Sequence, residues 1–197
     1  SNQIFGFRYY RGGADGILHN SFGQDIIINI LNHNFLEAIR GSESVFYNMP
    51  GHRYFNAFSK IFFGDTNYGY MVLVSLLPLL IYIFFKKYLS KKYAIYLFTS
   101  FIFLPIFENM GFGYFNYIWQ MIRNHAESFS IVLIISCLIG IHNIDNKKLV
   151  PFESFKVFFI GLLLAFASIS RPNFFPTCLI LSLYIFLNYF FFQKKYL

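Results

Sequence analysis

The sequence predicts an all-α membrane protein: about five transmembrane helices, preceded by an N-terminal external loop that contains juxtamembrane amphipathic helices. Three observations lead there. Only 13% of the 197 residues are charged, where a soluble domain carries about 25%. Aromatic residues make up 23% of the chain, with 29 Phe and 15 Tyr, more than one small core can hide. The charges that do occur are gathered between long uncharged windows. This composition excludes disorder, collagen, coiled coil and a disulfide scaffold.

Residues 1–67 form the external loop and residues 68–197 the helical bundle. Within the loop, Ser21–Arg40 places Phe22, Ile26, Ile30 and Leu31 at helical spacing, which predicts a helix lying along a surface. Ser21 is the expected cap and Gly41 the expected stop. A second short helix is expected over His52–Phe63, after the turn at Met49-Pro50-Gly51 and closed by Gly64. Its Tyr54, Phe55, Phe58, Phe62 and Phe63 suit the membrane interface. A juxtamembrane helix that only anchors the loop would carry the same pattern.

The bundle is read from the uncharged windows. Thr66–Phe85 holds twenty residues without a charge, and Ser128–Ile144 and Pro172–Gln193 are comparable. A spanning helix needs about 20 mostly apolar residues, with about 17 as a floor. Tyr93–Phe107 and Val157–Ser170 are shorter, and reach across only if Lys92 and Lys156 extend towards the interface. Pro78 and Pro105 are expected to kink their helices.

Five spans put segments 86–92, 143–156 and 193–197 on one side. These hold nine lysines (Lys86, Lys87, Lys91, Lys92, Lys147, Lys148, Lys156, Lys194 and Lys195) against Asp145 and Glu153, which equals the whole net charge of +7. The other side sums to zero. The positive-inside rule therefore assigns the lysines to the cytoplasm and residues 1–67 to the exterior. The lipid bilayer is thus an expected partner, and the basic charge reflects topology, so nucleic acid is not. Because the chain starts outside with Ser1 and stops after a lysine pair, it is expected to be a fragment of a larger protein. Cys137 and Cys178 fall within predicted spans as small apolar packing residues.

Chemistry-bearing residues cluster on the outer side. In Arg11–His19 (RGGADGILH), three glycines surround Asp15, which predicts a tight exposed turn presenting a carboxylate. An ordinary Asx turn would look the same. Glu108, Arg123, His125 and Glu127 surround the second external loop, and Arg171-Pro172-Asn173 forms the third. Charges at helix ends commonly just mark the boundary, but Arg123–Glu127 (RNHAE) is dense. Arginine suits phosphate through its forked donors, and a carboxylate can act as general base. His142 and Asn188 are read as packing or interface residues, and His33 and His52 as solvated or bonded within the external helices. No phosphate loop, dinucleotide fingerprint or zinc-protease pattern occurs, and Gly111-Phe-Gly113 is too sparse to count.

The order of these features resembles the GT-C glycosyltransferases, polytopic enzymes that use lipid-phosphate-linked sugars, and especially the protein O-mannosyltransferase and aminoarabinose transferase group. The matching elements are Gly13-Ala14-Asp15-Gly16, Phe46–Tyr54 (FYNMPGHRY), Ile61–Gly64 (IFFG), His125–Ser128 (HAES) and Ser170–Asn173 (SRPN). The resemblance covers most of the chain, although the acidic pair usual in the first loop is Ala14-Asp15 here. It implies a multi-pass protein of the bacterial inner (cytoplasmic) membrane. Asp15 would be the catalytic carboxylate, with His19, Arg53, Arg123, His125, Glu127 and Arg171 in substrate binding. Arg53 and Arg171 would meet the lipid phosphate.

The implied partners are a polyprenyl-phosphate-linked sugar and an acceptor that the sequence does not name. Metal use varies within that fold, so a divalent cation is an admissible cofactor, and no residue is assigned as its ligand. An external site excludes nucleotide sugars, which are cytosolic pools. The rival readings are a transporter or flippase of lipid-linked saccharides and a non-catalytic membrane subunit. Transporters tend to carry ionisable residues at mid-membrane, and these windows hold none apart from His142 near one end.

Overall fold

The structure is a computed structural model that describes residues 14–41, 50–66, 68–104, 114–144 and 151–194. Every regular element among them is helical: α1 (Ala14–Leu31), α2 (Phe35–Arg40), α3 (Pro50–Phe63), α4 (Tyr68–Tyr88), α5 (Lys91–Phe103), α6 (Tyr114–Ile122), α7 (Ala126–His142), α8 (Pro151–Ser170) and α9 (Phe175–Lys194), with a 3-10 turn at Pro172–Phe174. The all-α class holds. By length and composition, Tyr68–Tyr88 is the one described helix able to cross a membrane, while Ala126–His142, Ser154–Ser170 and Pro172–Asn188 are apolar but shorter.

Several expectations about the loop are corrected. Asp15 does not sit in a glycine turn: the backbone is helical from Ala14 onward, and Gly16 has no positive φ. Ser21 lies inside α1, its hydroxyl donating to the Leu18 carbonyl at 2.8 Å, so it caps nothing. The single helix expected over Ser21–Arg40 is two. His33 adopts φ 60°, and the nested bonds Asn34 N to Asn29 O (2.8 Å) and His33 N to Ile30 O (3.0 Å) close α1 in a Schellman arrangement. Ile26 is buried, but Leu31 is 72% exposed, because the break turns it off the packed face. Gly41 does end α2, at φ 67°, and Gly64 follows α3 at φ 68°.

The bundle has three cores. Ile26, Ala38 and Ala57 join α1, α2 and α3. Tyr70, Leu73, Leu77, Tyr117, Met121, Phe129 and Val132 join α4, α6 and α7. Ile134, Cys137, Ile160, Leu164, Ala167, Cys178 and Ile185 join α7, α8 and α9. Helix α7 belongs to two of them and is the spine of the molecule. Small residues let α7 and α8 approach closely: Ser130 Oγ donates to the Ala167 carbonyl at 3.2 Å, and Gly140 faces Ile160. Both cysteines are buried and free, as packing residues should be.

Helix α5 ends earlier than the window Tyr93–Phe107. Leu104 is extended, at φ −95° and ψ 115°, the conformation a following proline imposes, and Pro105 follows. At 13 residues, the described α5 is shorter than the about 17 that a spanning helix needs. By contrast, α4 continues through Pro78. The outer surfaces of α8 and α9 are apolar, with Phe158, Leu162, Ile180, Leu183 and Phe186 exposed.

Candidate functional site

Helix α3 is packed inside out. Its polar residues His52, Arg53, Asn56, Ser59 and Lys60 are buried, while Phe58, Ile61 and Phe62 are exposed at 57–65%. The spacing 52, 56, 59 and 60 is one helical face, and that face meets α1, the start of α4 and the turn between α6 and α7. Glycines permit the approach. A Cβ on Gly16 would collide with the Arg123 carbonyl oxygen, one on Gly23 would lie 2.7 Å from Asn56 Cβ, and one on Gly69 would collide with Ser59 Oγ.

Asn124 is the hub. It holds φ 59°, a left-handed conformation that Asn tolerates better than other non-glycine residues. Its Nδ2 donates to the Gly16 carbonyl at 3.0 Å. A carbonyl can only accept, which orients the amide and leaves Oδ1 as an acceptor. His52 Nε2 lies 2.9 Å from that Oδ1 and 3.0 Å from the Asn124 carbonyl, so Nε2 carries the proton, a tautomer assigned from the network. Tyr70 Oη lies within reach of two acceptors for its one proton, Asn124 Oδ1 and Asn56 Oδ1 at 3.0 Å, and its oxygen faces His52 Nε2 at 3.1 Å. Asn56 in turn donates to the His52 carbonyl at 3.1 Å.

The network sets the tautomer of His52, and burial keeps the ring neutral against the Asn124 hydrogen bonds, which favour the charged form. Burial pushes its pKa down to about 3, with the neighbouring charges of His19 and His125 acting in the same direction. Its Nδ1 is a buried acceptor with no hydrogen-bond partner among the described residues. The His19 ring packs edge-on against it, centroids 4.9 Å apart, and is itself 5% exposed. His52 is therefore neither solvated nor confined to its own loop: it ties α3 to residues more than seventy positions away.

The predicted site residues divide into three groups. Asp15 and His19 lie one turn apart on α1, the side chain of Asp15 falling outside the described residues. His19, Arg123 and His125 gather around His52 and Asn124, with His125 at the N-cap of α7. Glu127, in the first turn of α7, pairs at 2.6 Å with Arg171 at the end of α8, where its negative charge also favours the helix N-terminus. Arg53 is elsewhere. It is wholly buried, its Nη1 donates to the Gly41 carbonyl at 3.1 Å, and its guanidinium covers the Phe22 ring at 3.9 Å. Together with Tyr54, whose hydroxyl reaches the Ile39 carbonyl, it satisfies the open C-terminal end of α2. Those contacts make Arg53 a brace between α3, α2 and α1.

Among the described residues no three His, Cys, Asp or Glu side chains converge as metal ligands. The fragments Arg11–Gly13, Phe46–Met49, Glu108 and Gly111–Gly113 lie outside the described residues. Sequence reasoning passed over Asn56, Tyr70 and Asn124. One signal was present: Asn124 sits inside the dense Arg123–Glu127 run, where a residue that tolerates positive φ marks a tight turn. No family model, curated protein or solved structure matches this chain.

Proposed function

We propose that this chain belongs to a multi-pass membrane glycosyltransferase that transfers a sugar from a polyprenyl-phosphate donor to an acceptor on the external face. In this reading five segments span the bilayer, the shorter ones by local thinning of the bilayer and by lysines extended to the interface, and the lysines stay cytoplasmic. The single observation that carries it is the docking of α1, through Gly16, onto the turn that leads into α7, while His19 packs against His52 of α3 beside the same turn. That contact gathers the helix bearing Asp15 with Arg123, His125 and the Glu127–Arg171 pair at one end of the bundle, opposite the lysines. The exposed aromatic face of α3 and the apolar outer faces of α8 and α9 support contact with lipid, since soluble monomers rarely expose large apolar patches.

The chemistry would be an inverting displacement. The Asp15 carboxylate takes the proton of the acceptor hydroxyl or amine, the acceptor atom bonds to the anomeric carbon, and the bond from that carbon to the phosphate oxygen breaks. The polyprenyl phosphate leaves with the electron pair, and Arg171, oriented by Glu127, stabilises its charge. Positioning supplies much of the acceleration. Fold analogy contributes to this reading and does not by itself define the reaction.

Membranes containing the full-length protein, incubated with a radiolabelled polyprenyl-phosphate sugar, should yield labelled acceptor. Asp15→Asn should abolish the product while leaving insertion and folding intact. Full transfer by that variant would remove Asp15 from the catalytic role.

A further inference from the structure

At the opposite end of the bundle, a cleft of about 580 Å³ opens between α7 and α8. That volume lies within the ~300–1,000 Å³ typical of small-ligand sites. Its walls are Gly140, Phe155, Phe159, Ile160 and Leu163, and its polar groups are Ser136, Asn143 and Lys156. Gly140 contributes no side chain, which leaves room beside Ile160. Phe155 and Phe159 are more than half exposed along the outer wall. The Asn143 amide oxygen accepts from Lys87 Nζ on α4, so a second lysine is held at the rim. An apolar trough ending in two cations and an amide is complementary to a molecule with a hydrocarbon body and an anionic head.

We propose that this cleft binds an anionic phospholipid of the lysine-side leaflet, with its acyl chains along Phe159, Ile160 and Leu163 and its phosphate at Lys156 and Lys87. Charge complementarity selects this occupant. Lys156 lines the cleft and Lys87 reaches its Asn143, and basic pockets between helices on the cytoplasmic side suit acidic headgroups. It is also remote from the Glu127–Arg171 end, so it is separate from the proposed donor site. The inference rests on the membrane-spanning part of the proposed function and not on sugar transfer.

The chain is reconstituted into nanodiscs of phosphatidylcholine with one-tenth phosphatidylglycerol, extracted gently, and its retained lipids are counted by native mass spectrometry. One retained phosphatidylglycerol per chain, enriched over phosphatidylcholine, is expected. Lys156→Gln should reduce that enrichment about fivefold, the effect of one lysine at a lipid surface. Lys91→Gln, an exposed lysine outside the cleft, should leave it unchanged. Equal losses in the two variants would mean diffuse attraction and overturn the site. So would displacement of the lipid by soluble glycerol phosphate at matched concentration, because the acyl contacts would then contribute nothing. A lower unfolding temperature for Lys156→Gln in pure phosphatidylcholine would assign the lysine to folding instead. Failure to enter phosphatidylcholine nanodiscs at all would sink the spanning reading as well, whereas insertion without enrichment sinks only this inference.

Discussion

Replacing Asn124 with alanine is expected to destabilise the chain by about 1.5–2.5 kcal/mol. Two of the donors it serves keep a second acceptor: His52 Nε2 retains the backbone carbonyl of residue 124 at 3.0 Å, and Tyr70 retains Asn56 Oδ1 at 3.0 Å. The Gly16 carbonyl, which accepts from Asn124 Nδ2, stays in the helical ladder of α1, so what is lost is one net hydrogen bond, about 0.5–1.5 kcal/mol. Alanine must also hold φ near 59°, which costs about 1 kcal/mol more. Asn124→Gly removes the same side chain and relieves the backbone, so it should be milder by about 1 kcal/mol. Asn124→Asp keeps an acceptor facing Tyr70 and His52 but turns an anion towards the Gly16 carbonyl, and should be at least as damaging as alanine. The single tryptophan, Trp119 in α6, reports unfolding by fluorescence as SDS is titrated into mixed micelles. If all three variants unfold within about 0.5 kcal/mol of the parent, the size of an ordinary surface substitution, the network does not hold these helices together.

Three further outcomes follow from the same geometry. Because His52 is held neutral with a pKa near 3 and an unfolded histidine titrates near 6.5, the unfolded state binds the extra proton between those values. Stability is therefore full above pH 6.5 and falls on acidification by up to about 1.4 kcal/mol per pH unit; an unfolding series from pH 7.5 to 5 should show a slope that His52→Gln flattens. Gly16→Val should destabilise by about 1–3 kcal/mol through overpacking, because its side chain meets the Arg123 carbonyl, and the loss should appear as a lower midpoint in the fluorescence titration. Glu127→Gln should cost no more than about 1 kcal/mol, since the pair with Arg171 is partly exposed. In the transfer assay, however, it should raise the KM for the lipid donor by freeing the arginine; an unchanged KM would take Arg171 out of donor binding.

Local signals were legible where one residue determines the backbone. Gly41 and Gly64 end their helices as their positions predict, whereas α5, expected to run kinked to Phe107, stops at Phe103. Long uncharged windows located α4, α7, α8 and α9 within a few residues. The break at His33 was not legible, because it depends on α2 folding back so that Ala38 packs beside Ile26. Helix α6 was passed over because its Tyr117 and Met121 face the core only once α4 and α7 are beside it.

The sequence by itself determined that the protein is helical, that its charge is asymmetric along the chain and where most helices stop, since these depend on hydropathy and on backbone preferences of single residues. Only the tertiary structure decided which polar groups meet. Asn124, His52, Tyr70 and Gly16 lie far apart in the chain, and each alone resembles a surface residue or a turn. Burial removes the water that would otherwise satisfy them, so each donor must find the one acceptor that packing brings within 3 Å, and no local pattern records that choice.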